Sequence, residues 1–88
     1  MNQADEKEQI ERWWAILREQ IDCDGLAPID DQDLLDTVRV VAHGVAHACG
    51  PLSAFAAGYA VGQAGGSAAA TTMILSTIRE AVSSDVQS

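Results

Sequence analysis

Ile10, Trp13, Trp14, Leu17 and Ile21 recur at the spacing of one helical face, and Glu8, Glu11, Arg12, Arg18 and Glu19 occupy the rest of the turn. The pattern predicts a first helix over about residues 5–21, ending near Asp22 to Gly25, where glycine can take the left-handed conformation that closes helices. Pro28 marks a connection. Asp30 then stands where a side chain can cap a second helix, over about residues 31–48, and Asp33 in its first turn complements the helix dipole. Leu34, Leu35, Val38, Val41, Ala42 and Val45 make the expected buried face, with Asp36, Arg39, Val40, His43 and His47 opposite.

Gly50 and Pro51 break this pattern, and Pro51 suits the first turn of a third helix over about residues 51–64. Leu52, Phe55 and Tyr59 form its bulky stripe; Ala54, Gly58 and Gly62 form a small one beside it. Gly65 and Gly66 end it, and Ser67 can cap a fourth helix over about residues 67–83, with Ala70, Ile74, Ile78 and Ala81 facing inward and Met73, Leu75 and Val82 alongside. The β-branched Thr71, Thr72, Ile74, Thr77 and Ile78 also suit a strand, but strict alternation is absent and the segment is long for one strand. Four helices with short connections predict an all-α fold, a small antiparallel four-helix bundle.

From Val40 to Ile78 there is no Asp, Glu, Lys or Arg, and Ala54, Gly58, Gly62 and Gly66 recur every fourth residue within that run. Each glycine inside a helix costs about 1 kcal/mol relative to alanine. Gly58 and Gly62 are therefore expected to lie tightly against another helix, which would offset that cost; a loop that simply tolerates glycine is the competing reading. As a membrane span the run fails on content, because His43, His47, Pro51, Gln63 and many Ala and Gly dilute the roughly 20 strongly apolar residues a span needs.

The chain has 88 residues, enough for a single domain over residues 1–88, since a chain this short buries only about 60 to 65% of its unfolded surface. With 48% hydrophobic residues it lies far from the composition of disorder. The net charge of -8, with only five scattered cations, argues against a nucleic-acid partner and against an anionic membrane surface, both of which select clustered Lys and Arg. Cys23 and Cys49 are too few for a disulfide scaffold, and an antiparallel hairpin would set them about 25 Å apart, so two free thiols are expected. Met1 to Glu11 is too polar and acidic for a signal peptide, which makes the cytoplasm the default address.

Candidate chemistry is sparse. His43 and His47, four apart on the second helix, could share a metal ion with Asp36 as a further ligand; an ordinary pair of surface or interface histidines is the competing reading. The segment His43 to His47 has the outline of a zinc-peptidase helix, but Gly44 replaces the general-base glutamate, which excludes that chemistry. Trp13 and Trp14 could stack a flat ligand, although helical phase places both within the core arc. Gly62 to Gly66 lacks the preceding strand and following Lys of a phosphate loop, and Asp30, Asp31, Asp33 and Asp36 lack calcium-loop spacing. No catalytic residue and no cofactor is implied. The surface most suited to contact holds Val40, His43, His47, Ala54, Gly58 and Gly62.

The stretch Leu34 to Gly66, with Leu-Leu-Asp at 34–36, Ala-His-Gly at 42–44 and Pro-Leu-Ser-Ala-Phe at 51–55 followed by Gly58, resembles a family of small actinobacterial domains of unknown function. The segment Trp13 to Leu17 fits the same family. Its members look like stand-alone chains of this size or C-terminal extensions of molybdenum-cofactor guanylyltransferases. His43 matches a recurrent His of the pattern; His47 stands where Arg is expected and Val40 where Asp is expected, which disfavours a metal site and leaves the second helix a more apolar outer face. The resemblance implies an accessory role near molybdenum-cofactor assembly; taken with the lack of an active-site motif, the expected function is a non-enzymatic accessory or interaction domain whose partner is a second copy or a molybdenum-cofactor nucleotidyltransferase. A metal-binding protein and a homo-oligomeric structural module are the alternatives.

Overall fold

A computed structural model describes residues 3–87, and these form four helices: α1 (Gln3–Gln20), α2 (Asp31–Gly44), α3 (Cys49–Gln63) and α4 (Ala68–Gln87). The fold is all-α, a small helical bundle, as the periodicity predicts. The caps are local and follow from the sequence. The Asp30 carboxylate accepts from the backbone N–H of Gln32 at 3.0 Å and of Asp33 at 3.3 Å, and Ser67 Oγ accepts from Ala70 N–H at 3.0 Å. At the end of α3, Gly65 takes φ 93° while its N–H reaches Gly62 O at 3.1 Å and Gly66 N–H reaches Val61 O at 2.8 Å, a paired closure that needs a residue free of Cβ strain.

α2, α3 and α4 pack mutually, whereas no Cα of α1 comes within 8 Å of the other three helices among the described residues. The core is Val41 from α2, Ala57 and Val61 from α3, and Ala70, Leu75 and Val82 from α4. Thr37 belongs to it as well, only 2% exposed, because it shares helical phase with Leu34, Val38 and Val41. Its hydroxyl donates to Asp33 O at 2.8 Å and accepts from Arg79 of α4 at 2.7 Å, so the buried oxygen is satisfied.

The second helix is shorter than its periodicity predicts, ending at Gly44 rather than near residue 48, and Gly50 is helical rather than a breaker. Packing explains both. A Cβ on Gly50 would lie 3.0 Å from Val38 Cγ1 and 3.2 Å from Val38 O, so α3 begins pressed against α2 and the chain must already have reversed between residues 44 and 49. One consequence is that Val45 is exposed instead of buried; Leu35, higher on α2, is also on the surface.

α1 departs most from expectation. Ile10, Trp14 and Leu17 are half-buried, but Trp13 is 59% exposed and Ile21 is exposed, so the pair Trp13 and Trp14 is not a shared core anchor. The helix stands off from the bundle and covers only one narrow stripe. Its tether is Trp14, whose indole N–H donates to Asp31 Oδ1 at 2.9 Å while the Arg18 guanidinium sits 5.5 Å from the ring centre. A cleft of about 620 Å³ separates α1 from the start of α2, floored by Ile10, Ile29 and Leu35. The loops are joined at one further point, where Ala27 N–H donates to Gly66 O at 2.8 Å.

Candidate functional site

The orientation of α3 decides where a site can lie. Gly50, Ala57 and Val61 face the core, with Ser53, Ala54 and Ala60 at its margin. The small side of the helix thus points inward, and the bulky stripe points out: Phe55 is 83% exposed, Tyr59 68% and Leu52 67%. Sequence reasoning treats Leu52, Phe55 and Tyr59 as the ordinary apolar stripe of a helix, and the structure makes them a surface. A helix that is apolar all round is normally buried on every side; with only α2 and α4 to pack against, one side of α3 stays open. The signal was present in the chain, because Gly50, Ala57 and Val61 also share a helical phase, opposite the aromatics.

Gly58 and Gly62 flank the aromatic ridge and are exposed, and nothing lies within 4 Å of a Cβ built on either. The expected tight contact with another helix of the same chain is therefore not made there. It is made at Gly50, at the very start of α3, where the approach to Val38 and Ala42 leaves no room for a side chain. Ala54, grouped with those glycines by spacing, lines the interior seam with Leu34, Thr37, Val38, Leu75 and Ile78 instead. Tyr59 is held along the ridge by Gln63, whose Nε2 donates to the phenol oxygen at 2.6 Å.

The histidine pair loses its shared helix. His43 lies in the last turn of α2 and His47 in the turn after it, so the spacing of four no longer stacks two imidazoles on one face. Both are exposed, and Asp36 is engaged elsewhere, accepting from Arg39 at 2.9 Å and from Gln32 at 3.1 Å. Among the described residues no group of three or more His, Cys, Asp or Glu is placed to hold a metal ion. Val40 is exposed on α2. Cys23 and Cys49 are free and half-buried. No helix of the described residues is long and apolar enough to cross a membrane.

Fold and surface together define a small all-α domain whose most distinctive feature is an uncharged helix with its aromatic side turned to solvent. The chain belongs to the DUF6457 family, a domain of unknown function, whose profile matches residues 5–87 and so spans all four helices. No curated protein and no solved structure matches it.

Proposed function

We propose that this chain is a non-enzymatic helical accessory domain that acts by associating with protein through the outer face of α3. The observation that carries the reading is the exposure of Phe55, Tyr59 and Leu52 side by side on a helix without a single charged residue. Burying a large apolar side chain is worth about 1.5–3 kcal/mol, so three left in water on one ridge retain several kcal/mol for association. Scattered exposed apolar residues need no explanation, but a contiguous ridge does.

The finer reading places the domain beside molybdenum-cofactor assembly, with a nucleotidyltransferase of that pathway or a second copy as partner. Its support is the resemblance of residues 34–66 to domains that extend molybdenum-cofactor guanylyltransferases. Two free thiols suit a reducing compartment such as the cytoplasm. Co-sedimentation of the full chain with a guanylyltransferase at micromolar concentration tests this: a complex weakened by Phe55→Ser is expected, and no association counts against the molybdenum reading.

A further inference from the structure

We infer that the partner of the α3 ridge is a second copy of this chain, the two α3 helices lying antiparallel about a twofold axis between Gly58 and Tyr59. The inference rests on the reading of α3 as an interaction face and names its occupant.

Self-complementarity is the first argument. A twofold interface must fit itself, each residue meeting its counterpart's neighbour in reverse order. Along the ridge the chain reads Phe55, Gly58, Tyr59, Gly62. Reversed upon itself about a point between 58 and 59, this order sets Phe55 opposite Gly62 of the second copy and Tyr59 opposite its Gly58, so every ring meets a position without a side chain. These four residues lie within about 100° of helical arc, one face of α3. Both glycines are open in the single chain, with nothing within 4 Å of a would-be Cβ, so their cost to the helix brings no packing within the monomer.

Charge is the second argument. Each copy carries -8, so contact through most of its surface brings acids together. α3 has no charged residue, and pairing along it juxtaposes no like charges. Area is the third. At 67%, 83% and 68% exposure, Leu52, Phe55 and Tyr59 offer about 400 Å² per copy. A pair covering these side chains and the glycines beside them would bury about 800–1,000 Å² in total, the lower edge of a specific contact. The Tyr59 hydroxyl, held by Gln63, stays at the rim, where it can remain hydrated.

Sedimentation equilibrium of the full chain over a concentration series is the test, beside Phe55→Ser and Gly62→Leu, with helicity of each variant checked by circular dichroism. Both sites are exposed, so the variants should fold as the wild type does. The expected result is a monomer–dimer equilibrium that each substitution weakens by about tenfold or more. Register is read separately in chains carrying Cys23→Ala and Cys49→Ala. A mixture of Phe55→Cys chains with Gly62→Cys chains should form a disulfide-linked dimer, while Phe55→Cys alone should not, because two copies of position 55 lie about 10 Å apart along the antiparallel pair. A wild type that stays monomeric at every concentration overturns the inference, as does a dimer indifferent to Phe55→Ser or a linkage of Phe55→Cys to itself. A monomer that binds a guanylyltransferase and loses that binding with Phe55→Ser overturns self-pairing alone; a monomer that binds nothing overturns the interaction reading too.

Discussion

Arg79 on α4 donates to the Thr37 hydroxyl on α2 at 2.7 Å, and the same nitrogen reaches Asp33 Oδ1 at 2.8 Å. Thr37 Oγ1 in turn donates to Asp33 O, so Arg79, more than 40 residues away in sequence, closes one polar link with Asp33 and Thr37 between two packed helices. The Arg79 and Asp33 side chains are 36% and 27% exposed, so the ion pair alone contributes no more than about 1 kcal/mol. The buried hydroxyl is the more sensitive member. Thr37→Val keeps the shape and removes both of its hydrogen bonds, and should cost about 1–2 kcal/mol in urea unfolding. Thr37→Ser, which keeps the oxygen, should retain most of that stability; a larger loss in Thr37→Ser than in Thr37→Val would show that the methyl packing, not the polar link, matters.

The same substitution should have opposite signs at two positions of α3. Gly58→Ala adds helix propensity in open space and should stabilise the monomer by about 0.5–1 kcal/mol. Gly50→Ala gains the same propensity but drives a Cβ to 3.0 Å from Val38 Cγ1 and 3.2 Å from its carbonyl oxygen, for a net loss of about 1–3 kcal/mol. Thermal melts of both at concentrations where the chain is monomeric decide it. Two shifts of the same sign would mean that α3 is rotated relative to the orientation described.

Gly66 combines a backbone need with a steric one. Its φ is 75°, and a Cβ there would stand 2.5 Å from the carbonyl oxygen of Gly25. Left-handed strain costs about 1–2 kcal/mol by itself, and the clash with backbone would also push apart the loop joined by the bond from Ala27 N–H to Gly66 O. Gly66→Ala should therefore lose about 2 kcal/mol or more. Gly65→Ala, strained in φ but unobstructed, should lose less, so ranking the two by midpoint of denaturation tests the contact between loops.

Trp14 is the tether of α1, and its loss should be felt locally. In Trp14→Phe an aromatic ring remains, smaller than the indole, but the N–H that reaches Asp31 is gone, a charge-assisted bond worth about 1.5–3 kcal/mol where partly buried. Because α1 touches the bundle so narrowly, amide hydrogen exchange should quicken through residues of α1 while α2, α3 and α4 keep their protection. Uniformly faster exchange throughout the chain would instead make α1 a cooperative part of the core.

Local chemistry was legible in the chain. Asp30 and Ser67 as caps, Gly65 and Gly66 as the stop of α3, and helical phase in all four segments follow from interactions spanning a few residues, which sequence spacing encodes directly. Apolar periodicity also chose an all-α fold over strands. It could not say which apolar face would find a partner. That depends on how three short helices divide one small core among themselves: α3 turns Gly50, Ala57 and Val61 inward, and at Gly50 Val38 and Ala42 approach too closely for a side chain. Phe55 and Tyr59 are left outside as a result, and α2 must end at Gly44, which separates His43 from His47. Thr37 was hidden by its polarity: its hydroxyl donates locally to Asp33 O, but the donor from Arg79 on α4 that its oxygen also accepts is visible only in the tertiary structure. The sequence by itself determined the helices and their ends; the tertiary structure alone decided which side of α3 meets water, because close packing is a property of pairs of surfaces and not of either one.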